Sequence, residues 1–512
     1  MDRKKAGLLG LYLELYDNAM PERREEAEKF YRTIVSELSG RNIEVIPADV
    51  CRVKEEFAQA VSLFEQENAD AIVTLHLAYS PSLECADVLA QTDLPLIILD
   101  TTPDYEFSPR TAPDRIMYNH GIHGVMDMCN LLKRREKPFI IEAGHWKESD
   151  VIDRTVSRIG STAEESDESG SPASGLSELY SSTSRKPEGP TPRRGSFRRS
   201  CSFDGFSEAR EDPGSNKKEI KVGLIGEQFK GMGDFQVDFE VMKNTFNMEV
   251  ITADPDEISE LIPEPDDPET AAETEADCER FETGDIDRES HILSVRTGLG
   301  VRRWIENRGL SAFSVNFLSV DSSSGLPVMP FLEASKSMAR GIGYAGEGDV
   351  LTAWFIGMIM EQFPETTFTE MFCPDWKNGT VFLSHMGEVN ADLIDGKAKL
   401  VKKPFPWTDA GDPVVAVGRL KPGKGVFVDI APVKNDEFTL ICAPGSMEGA
   451  EGKDRMADTV HGWFKPDMDL PGFLEVYSTM GGTHHSAFVY DGTLAQLRDF
   501  GESMGCRTVE LS

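Results

Sequence analysis

In the segment GIGYAGEGDVLTAWFIG (341–357), Glu347 and Asp349 stand among glycines directly before an apolar run: Val350, Leu351, Ala353, Trp354, Phe355 and Ile356. Asp349 is placed to cap the helix which that run predicts, because its carboxylate can accept from the free N–H groups of the first turn. Glu347 lies outside the cap, between Gly346 and Gly348, where backbone can approach a ligand closely. It also faces a helix N-terminus, which favours anions. The residues alone leave two readings open for Glu347, a ligand-binding carboxylate and a solvent-exposed capping acid.

Two further segments carry related chemistry. In TTFTEMFCPDWKNGTVFLSHMGEVN (366–390), Glu370 and His385 each sit among apolar residues of a predicted β-hairpin. A buried acid is costly unless it meets a cation or metal. In MGGTHHSAFVY (480–490), two glycines and the pair His484–His485 precede an apolar strand. Strand alternation turns the two imidazoles to opposite faces, so only one of them faces a given site. Two glutamates and two histidines form an oxygen and nitrogen donor set without thiolates, unlike a structural zinc site. The set suits an octahedral divalent ion, Mn²⁺ with Co²⁺ or Mg²⁺ as alternatives, that keeps positions open for substrate oxygens. Spacing alone does not bring the four residues together.

The elements that must position them fall into stretches of different texture. Residues 6–146 alternate continuous apolar runs, such as AGLLGLYL (6–13) and LPLIILD (94–100), with longer amphipathic segments such as PERREEAEKFYRTIVSEL (21–38). That pattern predicts a parallel sheet covered on both faces. Ligands of such sheets bind beyond the carboxyl ends of the strands, where His76, Asp100 and His145 fall. Residues 155–218 are rich in Ser, Pro, Gly and Arg and bury too little apolar area to offset ordering entropy, so disorder is expected there. Within that stretch RRGSFRRSCSF (193–203) resembles a substrate of basic-directed kinases. A second α/β unit begins at IKVGLIGE (220–227), and the acidic stretch 254–289 reads as a solvated loop or irregular subdomain. From about residue 365, short strands at close spacing predict an antiparallel β-rich domain, barrel-like in architecture. The expected organisation is therefore α/β, with two Rossmann-like doubly wound α/β domains (1–154 and 219–363), the insertion 155–218, and the β-rich domain 364–512.

Composition narrows the function. Lys and Arg total 53 against 88 Asp and Glu, a formal net charge of -35 in 512 residues. Phosphate-backbone binding needs clustered cations, so nucleic acid is excluded as a partner, and anionic membranes are repelled. The eight cysteines form no CxxC pair, as expected of free thiols in a reducing, cytoplasmic compartment. No stretch approaches the ~20 apolar residues of a membrane span. A nicotinamide-dependent dehydrogenase is disfavoured because no Gly-rich turn has the GxGxxG spacing.

The motifs LHLAYSP (75–81), NHGIHG (119–124), AGHW (143–146), GYAGEGD (343–349), SHMGEV (384–389) and GGTHH (481–485), taken in this order, resemble those of bacterial L-arabinose isomerases and, more distantly, L-fucose isomerases. The resemblance implies an Mn²⁺-dependent aldose–ketose isomerase of carbohydrate catabolism, oligomeric (trimer or hexamer), with its site at a subunit interface. It implies Glu347, Glu370, His385 and His485 as metal ligands, the two glutamates also serving as the catalytic acid/base pair. It implies substrate contacts from His123 (of a neighbouring subunit), from His120, which stands where the family usually has glutamine, and from Met232. The chain departs from the family at GLYLELYD (10–17), which lacks a glutamine and a histidine, so the metal core matches while the sugar pocket is altered. A non-catalytic sugar-binding protein on the same scaffold is the competing expectation.

Overall fold

The computed structural model describes residues 3–160, 220–449 and 452–512. The first apolar run forms β1 (Lys5–Leu11), and its alternate residues feed two different cores. Ala6 and Leu8 pack with Phe30, Ile34 and Leu38 of the helix Arg24–Gly40. Leu9 and Leu11 pack with Phe57 and Phe64 of the helix Lys54–Gln66 on the opposite face. Both faces are apolar, which is why the run shows no polar alternation.

With β2 (Glu44–Pro47), β3 (Ala71–His76), β4 (Leu96–Asp100) and β5 (Phe139–Ala143), β1 builds a five-stranded parallel sheet in the order β2-β1-β3-β4-β5. β6 (Ile220–Ile225), β7 (Met248–Ala253), β8 (Ala312–Val315) and β9 (Gly343–Ala345) form a second parallel sheet, ordered β7-β6-β8-β9. In both, the chain order reverses beside the first strand, which opens a crevice at the carboxyl ends.

The third sheet has nine strands: β10 (Thr366–Asp375), β11 (Thr380–His385), β12 (Lys399–Lys402), β13 (Val414–Arg419), β14 (Gly423–Pro432), β15 (Phe438–Glu448), β16 (Val460–Pro466), β17 (His485–Val489) and β18 (Arg507–Glu510). Its order is β12-β13-β16-β11-β10-β17-β14-β15-β18, with β15 pairing β16 as well. The expectation of a wholly antiparallel domain is corrected here, because the β13–β16 and β15–β18 ladders are parallel. The helix Leu494–Met504 carries the chain back before β18, so that strand lies parallel to β15.

Two other expectations change. The acidic stretch 254–289 holds the helices Pro255–Ser259 and Pro268–Arg280. Each has an Asp-Pro start, in which proline costs no hydrogen bond at the first helical position, and the Asp267 carboxylate accepts from Glu269 N–H. The second helix buries Asp277 against the Lys336 ammonium at 2.7 Å and His291 at 3.2 Å. The helix Val151–Arg158 runs into the segment expected to be disordered. The rest of that segment, with its kinase-like motif, lies outside the described residues. No described helix is long and apolar enough to cross a membrane.

The helix Val350–Met360 is buried over all eleven residues, and each large aliphatic or aromatic side chain there contributes roughly 1.5–3 kcal/mol. A helix apolar all round belongs inside a core. Its N-terminus therefore fixes the loop 346–349 rigidly at the carboxyl end of β9, facing β10, β11 and β17.

Candidate metal centre

Strand register assembles the centre. Glu370 in β10 pairs with His485 in β17 on one side and with Ser384, the neighbour of His385, in β11 on the other. Glu347 arrives from the loop after β9. Its backbone is left-handed (φ 54°), a conformation that costs a non-glycine residue energy and that folds keep mainly at functional sites. Phe229 N–H donates to the Glu347 carbonyl at 2.9 Å and holds the turn. Glycine is required on both sides. A Cβ at Gly346 would stand 2.9 Å from the His385 ring, and one at Gly348 (φ +81°) would stand 2.6 Å from the Glu227 carbonyl.

One ligand atom from each of Glu347, Glu370, His385 and His485 falls within 4.8 Å of all the others. His485 Nε2 lies 2.8 Å from Glu370 Oε1 and 3.1 Å from Glu347 Oε2. His385 Nε2 lies 3.5 Å from each glutamate. His485 Nε2 and Glu347 Oε2 are buried without a hydrogen-bond partner, which is how a cation's donor atoms look when they are aimed at a common point rather than at each other. The donor set fits a divalent ion.

Each imidazole is oriented from behind. His485 Nδ1 donates to Asp349 Oδ2 at 2.8 Å, while Asp349 Oδ1 accepts from Thr352 N–H at 2.8 Å as the helix cap. His385 Nδ1 donates to Glu388 Oε2 at 2.6 Å, and Glu388 Oε1 accepts from the Tyr344 hydroxyl at 2.9 Å. A carboxylate behind Nδ1 leaves Nε2 as the ligating atom. The sequence reading missed both orienting acids in this role. Glu388 was nonetheless within reach, three residues after His385 in SHMGEV.

The electrostatics of the four groups are shared. Burial raises the Glu347 carboxyl, but His385 and His485 outweigh it and bring it down to about 2. Burial opposes ionisation of Glu370 too, and His385 outweighs it and holds it well below the usual carboxylate range. Burial lowers His385 and His485, and the surrounding carboxylates more than reverse this, so both sit well above the ordinary imidazole value. Without metal, the centre thus holds two carboxylates and two imidazolium groups. Exchanging one proton on each Nε2 for one divalent ion leaves the buried charge unchanged, whereas a monovalent or trivalent ion would not. We expect Mn²⁺ binding near neutral pH to release two protons, and affinity to fall as pH falls because protons compete for both nitrogens. Calorimetry in buffers of different ionisation enthalpy measures the release. A buffer-independent heat would count against this charge exchange.

The other site candidates surround the centre. His123 Nε2 is 3.6 Å from Glu370 Oε2, and burial pushes this histidine down to about 3, so it is neutral. The resemblance implied a histidine from a neighbouring subunit, yet His123 of the same chain occupies this place. Its helix, Ile122–Arg134, is bonded to the turn that precedes His485: Asn130 Nδ2 donates to the Gly481 carbonyl at 2.7 Å and Lys133 Nζ to the Thr479 carbonyl at 2.7 Å. His120 bonds the Tyr16 hydroxyl at 3.1 Å. Met232 is buried in an apolar cluster with Leu13, Tyr79, Phe229 and Phe235, beside Tyr16. His484 lies just outside β17, so strand alternation does not separate the pair as expected: its ring stands 4.3 Å from that of His485, and its Nδ1 meets Asp234 Oδ2 at 2.7 Å. His145 is engaged by the Pro103 carbonyl at 3.3 Å. His76 is packed against Gly121 and Gly124, and Asp100 is buried at the end of β4.

The family model of the L-arabinose isomerase central domain matches residues 236–362, and that of the C-terminal domain matches residues 365–507. Together they cover more than half of the chain. Curated relatives include an L-arabinose isomerase of Leuconostoc mesenteroides subsp. mesenteroides, 29% identical over 45% of this chain and 50% of its own. L-arabinose isomerase 2 of Clostridium acetobutylicum is 24% identical over 57% of this chain and 61% of its own. The matched region thus spans about half the length of these relatives. Among solved structures, the trehalose repressor from Escherichia coli is 9% identical over 70% of this chain and 91% of its own, at a TM-score of 0.17, too low to bear on the fold.

Proposed function

The chain belongs to the L-arabinose isomerase family, and from that premise we propose that it is a metal-dependent aldose–ketose isomerase of carbohydrate catabolism. Its substrate in this reading is L-arabinose or a related aldose such as D-galactose or L-fucose. The observation that carries the reading is the buried set of Glu347, Glu370, His385 and His485, with their ligand atoms within 4.8 Å.

Isomerisation moves a hydrogen between C1 and C2, and the α-proton of an aldose carbonyl is too weak an acid to leave unaided. A divalent ion, Mn²⁺ in our reading, would polarise the substrate's carbonyl oxygen and stabilise the charge that develops on it. The four ligand residues would hold it. One glutamate takes the proton from C2 and the other exchanges a proton at O1 or O2. Their surroundings differ: the Glu370 side chain is 6% exposed and strand-borne, while that of Glu347 is 13% exposed on its loop. Unequal environments let two carboxylates play acid and base in turn. His123, held neutral by burial, offers one donor and one acceptor to a sugar hydroxyl. His120 and Met232 complete the sugar-facing wall.

The sheet's ring of pairings, which returns on itself where β15 meets β16, supports a barrel-like platform that keeps Glu370, His385 and His485 in register. In this reading the protein works in the cytoplasm as a homo-oligomer, with every site residue named here drawn from one chain.

The test is a panel of L-arabinose, D-galactose, L-fucose and D-ribose with and without added Mn²⁺, run in deuterated water. Metal-dependent ketose formation with deuterium at C1 or C2 is the expected result. Turnover without solvent deuterium would replace the acid/base pair with a hydride shift. Sugar binding without turnover on the whole panel would overturn the isomerase reading in favour of a non-catalytic binder.

A further inference from the structure

Tyr16 lies on the short helix Glu14–Ala19, half-buried, and stacks obliquely with Trp407 at 5.7 Å. Its hydroxyl is 3.1 Å from His120 Nε2, and His120 Nδ1 is 2.9 Å from the Ile116 carbonyl. A carbonyl oxygen only accepts, so the Nδ1 atom carries the ring proton. Burial pushes His120 down to about 4, so near neutral pH the ring carries no second proton. Nε2 is then a lone pair, and the Tyr16 O–H must donate to it. Both protons of this pair are therefore spent. The phenolic oxygen keeps its own acceptor capacity, and among the described residues no group donates to it. Burial holds the phenol raised above its ordinary value, and the charges of Glu370 and Glu347 reach it and add to that effect. Tyr16 thus remains a hydroxyl, and it reaches the candidate centre through His120, whose ring lies 5.8 Å from that of His123, itself 3.6 Å from Glu370 Oε2. Met232, Phe229 and Phe235 beside it are apolar and supply no competing donor.

We infer that Tyr16, with its proton fixed on His120, is a specificity-determining acceptor that binds a donated hydroxyl of the sugar. This rests on the isomerase reading only for the class of ligand. The wall selects a polyol hydroxyl at one position and rejects a ligand with hydrogen or an ether oxygen there, because neither can donate. It offers no donor of its own, which separates it from His123.

The experiment measures equilibrium binding of L-arabinitol and its monodeoxy and mono-O-methyl derivatives to Mn²⁺-loaded protein. Wild type should bind one deoxy derivative about tenfold more weakly than L-arabinitol, the effect of one neutral hydrogen bond. Tyr16→Phe should bind L-arabinitol about tenfold more weakly, lose discrimination at that one position, and keep Mn²⁺ affinity. His120→Leu frees the phenolic proton, so the O-methyl derivative at that position should regain binding. Tyr16→Phe with wild-type affinities across the series would overturn the inference and leave the isomerase reading standing. Wild type that binds pentitols with this selectivity yet turns over no aldose would support the inference and sink the isomerase reading. No pentitol binding at all would overturn the inference, while the aldose panel alone decides the isomerase reading.

Discussion

Glu370→Gln should abolish Mn²⁺ binding and lower turnover by about 10³-fold or more. The substitution keeps shape and volume but removes one of the two carboxylate charges at the centre. It also turns an amide donor toward His485 Nε2, which now stands 2.8 Å from Glu370 Oε1. The ion would then lose an anion and gain a repelling dipole. His485→Ala should do the same by removing a ligand, with the added cost of leaving Asp349 Oδ2 buried without its donor. Glu347→Gln belongs with them, since Glu347 Oε2 is one of the unpartnered buried atoms. Mn²⁺ titration followed by its electron paramagnetic signal, beside an aldose assay, reads both effects. The same variants test whether a site is built within one chain. Glu370→Gln mixed with His123→Ala should recover nothing, because each molecule carries its own His123 3.6 Å from its own Glu370. Normal metal affinity in Glu370→Gln would mean the centre is wrongly assigned, and recovery on mixing would mean that sites are shared between subunits.

Asp349→Asn should weaken metal binding 10–100-fold, the usual effect of disturbing the partner behind a ligand histidine. Asp349 holds two groups at once, Thr352 N–H through Oδ1 and His485 Nδ1–H through Oδ2. Both are donors, and only a carboxylate can accept from both. Asparagine accepts through one atom. If its oxygen stays on Thr352, its NH₂ faces His485 Nδ1 and forces the ring proton onto Nε2, the atom that should ligate. If it turns around, the helix cap is lost. Asparagine is a good cap, so the first arrangement should win, with metal affinity falling while thermal stability barely moves. Asp349→Ala loses both bonds and should also cost about 1 kcal/mol of stability. Equal metal affinity in wild type and Asp349→Asn would remove Asp349 from the centre and leave it a cap alone.

Much of this architecture was legible in order along the chain. The continuous apolar runs at 6–13 and 94–100 predict strands buried on both faces, and β1 and β4 are such strands, because covering a sheet twice leaves no polar side. Asp349 before an apolar run predicts a cap, since capping is a matter of three neighbouring residues. The acidic stretch 254–289 misled because its charge suggested solvation, while the Asp267–Pro268 start and the buried Asp277–Lys336 pair make it helical. Charge alone does not show which carboxylates have partners 59 residues away.

By itself, the sequence determined the apolar periodicity, the helix starts and the residue types able to hold a divalent ion. Residue types and spacing left Glu347 between capping acid and ligand and did not choose between His484 and His485, and the family resemblance pointed to Glu347 and His485. Only the tertiary structure showed which of these groups converge. The β10–β17 register sets His485 against Glu370, Asp234 takes His484, and the loop after β9 turns Glu347 inward. It also set Asp349 and Glu388 behind the imidazoles and brought His123 beside Glu370. The physical reason is range. Periodicity and capping act over a few residues, whereas the centre is closed by contacts spanning 136 residues between Asp349 and His485, and such pairings exist only once the second and third sheets have packed around one buried helix.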